Sequence, residues 1–375
     1  MVCLIVAALL TAHLYAEEAS GRNAASSTAA AEAKQIPHGR MLEIQALLTP
    51  KTQPKTYQEN ITIMLSQTSE VVRLAKKIWK DYPDAPNSAR LNQLMLKVGA
   101  FRYRFARSDK TRQELKEIAE TVLAAKGTEA TKLLASTALL RLNIFTAQDK
   151  PAKDAAKYIV EYVALYSKNP KLAVQAIGMG GMLAKSIGND TLANKYFVML
   201  EKQYLNNPTS LTFLIEAGRP PLFKASLKKL DGTELNLPKD LLGKVVVIDF
   251  WATWCGPCIQ TLPHMKQMYV KYKDKDVEFV GISLDEPNSL ANLKSFVKKN
   301  KLDWIHTYSG KEWKDPTAVK YGITGIPTIW VIGKDGKLIS MDARSRLQTL
   351  IELALNKNAK EVMKKSATTT QPAKK

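Results

Sequence analysis

The chain has 375 residues, enough for two domains at roughly 150 residues each and too many for one small domain. Hydrophobic residues make up 45% of it and charged residues 24%, values that exclude a wholly disordered or collagen-like protein. Three cysteines are too few for a disulfide-stapled scaffold, and the net charge of +20 permits attraction to nucleic acid, anionic membranes or acidic proteins without constraining the fold.

Residues 1–16 are mostly apolar and contain no Lys, Arg, Asp or Glu. Such a segment is typical of a secretory signal peptide and is too short for an ordinary membrane-spanning helix. The sequence therefore predicts export to the periplasm or cell envelope of a bacterium, with cleavage near Ala16; an uncleaved anchor is the alternative. Cleavage would remove Cys3 and leave Cys255 and Cys258 without a competing thiol in an oxidising compartment.

Residues 17–35 are small and polar and predict a flexible linker. Over residues 36–217 apolar residues recur at three- and four-residue spacing, the pattern of amphipathic helices, so an all-α domain is predicted there. The motif Tyr-x-x-x-Pro begins at Tyr82, Tyr166 and Tyr204, and the first interval is about twice the second. This regularity favours a tetratricopeptide-like array of helical hairpins; a non-repeating helical bundle is the alternative.

Shorter apolar segments and turn residues replace the helical period over residues 218–355. Residues 225–237 predict a hairpin with a tight turn, and residues 245–250 predict a strand buried on both faces. The further predicted elements are helices at 257–272, 290–299 and 347–355 and strands at 277–283, 304–308, 328–332 and 337–341. Together they predict an α/β domain with a mixed central sheet flanked by helices, followed by a disordered basic tail at residues 356–375.

A Cys-Gly-Pro-Cys motif stands at the junction of the predicted buried strand and the next helix. A cysteine at a helix N-terminus meets backbone N–H groups that stabilise its thiolate, so Cys255 is predicted as the attacking sulfur. Cys258 lies one turn later on the same face, where it can resolve a mixed disulfide. Asp249 precedes the motif on the strand, and burial would raise its pKa and suit it to accept the Cys258 proton. Pro257 fits the first helical turn because its missing N–H is not needed there.

Four stretches of the sequence form motifs that, taken together, are specific to one protein family. They are Val245–Cys258, Pro263, Gly281–Asp285 and Tyr321–Thr328. On these residues the chain resembles the TlpA/ResA-like thiol:disulfide oxidoreductases of the thioredoxin superfamily, over residues 218–355. The resemblance implies a thioredoxin-like fold and an enzyme that exchanges disulfides with client proteins through a redox-active disulfide, without a cofactor.

The resemblance also implies how a client binds. Ile326-Pro327 is expected to form a cis peptide bond beside the dithiol, with the Ile326 backbone available to an extended client segment. Trp254, Gly256 and Pro257 are expected to flank the same site. The Gly-Pro dipeptide resembles that of reducing thioredoxins, which favours a reductase. A reductase outside the cytoplasm needs an electron donor, such as a membrane-bound thiol reductase.

Other interpretations of these residues predict different functions. A Cys pair can form half of a zinc site, but zinc normally takes four ligands and the chain has no second pair, so no metal is predicted. A thioredoxin-like peroxidase is one alternative, and a helical-repeat adaptor for an acidic protein, regulated by the redox domain, is another. Residues 101–107 interleave aromatics with arginines, which suits an amphipathic helix with solvated arginines better than a nucleic-acid surface, so no nucleic acid is predicted.

Overall fold

The computed structural model describes residues 35–49, 56–83, 85–145 and 150–356. The predicted signal peptide and almost all of the predicted linker and tail lie outside these residues. The structure divides into two compact units between Lys195 and Tyr196, and the domain boundary at residue 218 stays a prediction. In the described part of the chain, no helix has the length and apolar character needed to cross a membrane.

The first unit is built from helices, as the apolar spacing predicted. They are α1 (His38–Leu48), α2 (Tyr57–Asp81), α3 (Ala89–Ala106), α4 (Asp109–Ala124), α5 (Glu129–Ile144), α6 (Ala155–Tyr166) and α7 (Ala173–Ser186), and α8 (Asp190–Gln203) continues into the second unit. The helices α2, α4 and α5 each have a side-chain N-cap. In each, a hydroxyl oxygen accepts a hydrogen bond from the backbone N–H three residues further on; the capping residues are Thr56, Ser108 and Thr128. Each helix from α1 to α6 packs against the next, which buries apolar residues such as Val71 and Ile78.

The three Tyr-x-x-x-Pro motifs mark connections between helices. Tyr82 follows the last residue of α2, Tyr166 is the last residue of α6, and Tyr204 follows α8. Pro208 is the first residue of α9, where its missing N–H needs no partner, and Pro86 and Pro170 stand three residues before the first residues of α3 and α7. The motifs therefore have a shared local role, while the tetratricopeptide-like array stays a prediction.

One arginine of residues 101–107 is buried, contrary to the expectation that all of them are solvated. The Nε of Arg102 donates to Glu114 Oε1 at 2.7 Å, and its Nη1 donates to the Leu65 carbonyl oxygen at 2.7 Å. The other two arginines of this segment are exposed, as predicted. Arg102 lies on the face of α3 that meets α2 and α4, where the carboxylate offsets part of the cost of burying its charge.

The second unit contains the α/β domain. After α8 it comprises α9 (Pro208–Glu216), β1 (Ala225–Lys228), β2 (Glu234–Leu237), β3 (Val245–Trp251), α10 (Gly256–Tyr272), β4 (Val277–Ser283), α11 (Leu290–Lys299), β5 (Ile305–Tyr308), α12 (Pro316–Lys320), β6 (Thr328–Ile332), β7 (Leu338–Ser340) and α13 (Leu347–Leu355). Five strands form one sheet in the order β5-β4-β3-β6-β7, and β1 and β2 form a separate hairpin. β3 and β5 run parallel to β4, whereas β6 is antiparallel to β3 and β7. The predicted mixed sheet is confirmed, and the unpredicted α12 is too short to show a helical period.

The central strand β3 is buried along its whole length. Val247 and Trp251 face a core formed with α10 and α13. Ile248 and Phe250 face the opposite core, which includes the β1-β2 hairpin and Leu211 of α9. A strand covered on both faces needs the nearly continuous apolar sequence that predicted it. Because α10 begins five residues after the end of β3, the cysteine motif lies at the carboxyl end of the central strand.

Candidate active site

The Cys-Gly-Pro-Cys motif forms the start of α10. Cys255 is the N-cap residue, and its Sγ accepts a hydrogen bond from the backbone N–H of Cys258 at 3.2 Å. Pro257 occupies the first turn, as its missing N–H predicted. Cys255 and Cys258 are joined by a disulfide with an Sγ–Sγ distance of 2.02 Å. The structure is therefore that of the oxidised protein.

A buried carboxylate holds the loop between β3 and α10. Asp285, which follows the end of β4, accepts hydrogen bonds from the backbone N–H of Thr253 at 3.0 Å and from the Thr253 hydroxyl. It also accepts the hydroxyl of Ser283 at 2.7 Å. Asp285 belongs to the Gly281–Asp285 segment that carried the resemblance, but its side-chain partner could not be read from the sequence. Its bonds fix the loop two residues before Cys255.

Asp249 lies on β3, on the face that also carries Val247 and Trp251 and packs into the core containing Cys258. Its neighbours in the sheet are Gly281 of β4 and Ile329 of β6, which bring no charge to it. Burial raises the pKa of Asp249 to about 7. Within the described residues its Oδ1 makes no hydrogen bond.

A cleft of about 580 Å³ passes beside the disulfide and is lined by Pro257, Ile326 and Pro327. The Ile326-Pro327 peptide bond is cis, and the Ile326 carbonyl oxygen lies 3.8 Å from Cys255 Sγ. Arg344 is exposed and, among the described residues, is the one charged side chain that lines this cleft. No motif marked Arg344 in the sequence, because its place in the cleft depends on the path of the chain after β7.

Two of the residues expected to flank the site do not line this cleft. Trp254 is half exposed and its ring centroid lies 6.4 Å from that of Trp313, which is also exposed. Gly256 is exposed at the start of α10, with open space where a Cβ would stand. Trp254 and Trp313 therefore form an exposed aromatic pair, which the sequence did not predict and which is separate from the cleft beside Ile326.

The cleft also touches α9. Gly322 has a φ of +63°, and a Cβ there would stand 2.6 Å from Pro208 Cγ at the start of α9. Only glycine fits both the dihedral and this contact. The sequence placed Pro208 in a helix connection and gave no signal that it would lie beside the Tyr321–Thr328 segment.

Across the residues that the structure describes, no group of three or more His, Cys, Asp or Glu side chains is arranged to hold a metal ion.

Comparison with known proteins identifies the domain. A family model described as thioredoxin-like matches residues 243–338. The thiol-disulfide oxidoreductase ResA of Bacillus thuringiensis subsp. konkukian is 39% identical over 111 residues, which are 29% of this chain and 60% of that protein. ResA of Bacillus anthracis is 34% identical over 136 residues, or 34% of this chain and 70% of that protein. The chain thus spans about 60% of the length of the first of these relatives.

Solved structures include similar domains. A thiol:disulfide interchange protein of the thioredoxin family from Chlorobium tepidum is 27% identical, with 37% of this chain and 98% of that chain covered and a TM-score of 0.31. The fold and the dithiol define a thioredoxin-like domain at the end of a helical region. The chain belongs to the thioredoxin-like family that includes the ResA proteins. The predicted superfamily resemblance is confirmed.

Proposed function

We propose that the protein is a thiol:disulfide oxidoreductase that exchanges disulfides with client proteins. The observation that carries this proposal is the Cys255-Cys258 disulfide at the N-terminus of α10, in a domain related to ResA. Cys255 caps the helix, so its thiolate would accept backbone N–H groups and face the positive end of the helix dipole. Cys258 is the more deeply buried of the two, at 1% exposed against 5%, which suits a resolving thiol.

The reaction takes two steps in the reducing direction. The Cys255 thiolate attacks one sulfur of a client disulfide; the client S–S bond breaks, one client sulfur leaves as a thiolate and takes a proton from water, and a mixed disulfide forms. Cys258 then gives its proton to Asp249 and attacks Cys255 Sγ. The mixed disulfide breaks, the second client sulfur leaves as a thiolate and is protonated, and the Cys255-Cys258 disulfide forms. The client gains two electrons, which the dithiol loses.

The client segment lies along the cleft beside Ile326. The Ile326 carbonyl oxygen is 3.8 Å from Cys255 Sγ, so a backbone paired there would bring its own sulfur to the dithiol. Pro257 and Pro327 line the same cleft, while Trp254 and Gly256 border the approach to Cys255 from the exposed side. Arg344 favours a client with an acidic residue close to its cysteine.

The protein acts outside the cytoplasm and mainly as a reductase. The apolar residues 1–16 support export, and the Gly-Pro dipeptide between the cysteines supports a low reduction potential, as in thioredoxin at about −270 mV. Each turnover leaves the dithiol oxidised, so an electron donor outside the cytoplasm, such as a membrane-bound thiol reductase, must restore it. The helical region is then a module for holding clients or the donor.

Insulin reduction with dithiothreitol as the electron source tests this proposal. Wild type should accelerate precipitation of the insulin B chain, and Cys255→Ser should abolish the acceleration because the attacking sulfur is gone. In the uncleaved full-length chain, Cys3→Ser is the matched control, since it removes the remaining cysteine and should leave the rate unchanged. Equal rates for wild type and Cys255→Ser would refute the assignment.

A trapping experiment separates the enzyme from an adaptor. Cys258→Ser cannot resolve the mixed disulfide, so a discrete set of clients should remain attached to Cys255 and be released by dithiothreitol. The double variant Cys255→Ser/Cys258→Ser should capture none of them. If the double variant retains the same partners as wild type, binding does not depend on the thiols and the chain acts as an adaptor.

A further inference from the structure

The two most exposed tryptophans of the described chain lie beside each other, next to Cys255. Trp254 is 50% exposed and Trp313 is 39% exposed, and their ring centroids are 6.4 Å apart. Three other tryptophans of the same unit are buried in its cores, namely Trp251, Trp304 and Trp330. Tryptophan is largely buried in most proteins, so two exposed rings in contact call for an explanation.

The pair is assembled from two loops that are far apart in the sequence. Trp254 belongs to the loop between β3 and α10 and directly precedes Cys255, whereas Trp313 belongs to the loop between β5 and α12. Because β3 and β5 both run parallel to β4, both loops follow the carboxyl ends of their strands, at the edge of the sheet that carries the dithiol. Trp313 therefore extends the surface beside Cys255 outside the cleft that Ile326 lines.

The loop that carries Trp313 is held in place by its own hydrogen bonds. Residues 312–314 form one turn of 3-10 helix, and the backbone N–H of Asp315 donates to the Glu312 carbonyl oxygen at 2.9 Å. The buried Asp315 carboxylate accepts two backbone N–H groups at the start of α12, at 2.8 and 2.9 Å. Glu312 has a φ of +49°, a left-handed conformation of the kind that clusters at binding sites. An aromatic ring on such a fixed backbone loses little conformational freedom on binding.

The charges around the pair indicate what kind of molecule covers it. Lys311 and Lys314 are exposed on either side of Trp313, while the Asp315 carboxylate is buried at the start of α12. The surface is thus apolar with a positive border, and it complements an apolar side chain that has an acidic neighbour. Any client whose sulfur reaches Cys255 must come close to Trp254, the preceding residue.

An extended client segment has the right dimensions to reach Trp313. Two residues of an extended chain span about 6.6 Å and place their side chains on the same face. This length matches the 6.4 Å between the two ring centroids. A client cysteine at Cys255, beside Trp254, therefore brings the side chain two positions away to the level of Trp313.

We propose that Trp313 is a specificity-determining residue that acts with Trp254. The pair selects clients that carry an aromatic side chain two positions from the disulfide cysteine, with an acidic residue next to that side chain. This rests on the proposed function, because the client must be a substrate of the Cys255-Cys258 dithiol. The client ring packs against the indoles, and its acidic neighbour lies near Lys311 and Lys314. The contact strengthens client binding and leaves the sulfur chemistry unchanged.

Reduction of disulfide-linked peptides by the full-length chain tests this selection. Two peptides differ only at the position two residues from the cysteine, where one has phenylalanine and the other serine. Wild type should favour the phenylalanine peptide by about tenfold in kcat/KM, mainly through KM, since aromatic contacts supply an effect of this order. Trp313→Ala should bring the ratio close to one, and Trp313→Phe should restore a preference. An unchanged ratio in Trp313→Ala would overturn the proposal.

Val319→Ala is the matched control for the loss of an exposed apolar side chain. Val319 is 62% exposed on α12 and does not line the cleft beside Ile326, so its replacement should leave the ratio unchanged. An equal fall of the ratio in Val319→Ala would show that the selection is not made at Trp313 and would overturn the proposal.

The acidic neighbour is tested in the phenylalanine peptide. Changing that neighbour from glutamate to lysine should lower kcat/KM by about threefold for wild type, and the double variant Lys311→Glu/Lys314→Glu should reverse this preference. Equal rates for the two peptides with wild type would contradict the proposed client.

The indole N–H signals of wild type test the contact without any substitution that could impair folding. A phenylalanine peptide with serine in place of its cysteine should shift the nuclear magnetic resonance signals of Trp254 and Trp313. The signals of the buried tryptophans should stay in place; these are Trp251, Trp304 and Trp330. A Trp313 signal that does not move at millimolar peptide would overturn the proposal.

A second copy of this chain is the other occupant to distinguish. Sedimentation at increasing concentration should show no self-association that depends on Trp313. A dimer that Trp313→Ala abolishes would mean that another copy covers the pair, and it would overturn the proposal. Failure of the function itself has a different signature, namely that Cys255→Ser reduces both peptides as fast as wild type does.

Discussion

Asp249→Asn is expected to make the protein more stable above pH 7 and slower in disulfide exchange. Burial raises the pKa of Asp249 to about 7 in the folded chain, against about 3.9 in an unfolded chain. The folded state holds this proton more tightly than the unfolded state does. The stability that the group contributes is therefore fully present below about pH 3.9 and is lost as the pH rises through 7. Asparagine has no proton to lose and escapes this loss.

The size of the effect follows from the two pKa values. A difference of about three units, at 1.36 kcal/mol per unit, corresponds to about 4 kcal/mol. The free energy of unfolding of Asp249→Asn relative to wild type should rise by about 1.4 kcal/mol per pH unit between about pH 4 and 7, and stay level above about pH 8. Relaxation around the buried carboxylate reduces this figure, so about 4 kcal/mol is its upper bound.

Guanidinium unfolding in half-unit steps of pH measures this difference. Tryptophan fluorescence is a suitable signal because five of the six tryptophans lie after Tyr196, in the unit that contains Asp249. On the same samples, turnover with insulin should fall by about 100-fold, because Cys258 loses its proton acceptor. Asp303→Asn, at an exposed aspartate, is the control for both measurements.

The burial of Asp249 and its role as proton acceptor can each be refuted by a separate outcome. A stability difference that does not change with pH would show that Asp249 is not desolvated in the folded state. An unchanged turnover at pH 7 would show that another group accepts the Cys258 proton.

Three further predictions concern the loop, the cleft and the helical unit. Asp285→Ala should lower the free energy of unfolding by about 1–3 kcal/mol, measured by guanidinium unfolding, because it leaves the Thr253 N–H and hydroxyl without their acceptor. Arg344→Glu should reverse the preference between disulfide-linked peptides that carry an acidic or a basic residue beside the cysteine, measured as kcat/KM, while Arg346→Glu, outside the cleft, should not. Arg102→Met should lower the free energy of unfolding of the helical unit by about 3–5 kcal/mol, followed by circular dichroism, because it leaves the Glu114 carboxylate, only 12% exposed, without its partner.

Local sequence patterns were sufficient for most of the second unit. The strands β4 and β6 and the helices α11 and α13 begin and end where their patterns predicted. Each depends on an apolar period or a turn residue within its own segment, and these are local properties of the chain. The same holds for the junction of β3 and α10, where local patterns alone place Cys255 at a helix N-terminus.

Residues that act through distant partners could not be predicted in this way. Asp285 was part of a motif, but its bonds to Thr253 join segments 32 residues apart. The burial of Arg102 depends on Glu114 of the next helix and on Leu65 of the previous one. A polar residue on a helix or strand looks the same in the sequence whether it faces water or a matched partner, since burial is decided by what packs against it.

By itself, the sequence determined the class of the domain through the motif segments that resemble thioredoxin-like proteins, and it placed two cysteines one helical turn apart after an apolar strand, because both patterns are set along the chain. The tertiary structure decided which side chains surround that dithiol. The register of β3, β4 and β5 put Asp249, Gly281 and His306 in one row, and the path after β7 brought Arg344 to the cleft. Strand order and register are collective results of packing the whole sheet, so no single segment encodes them.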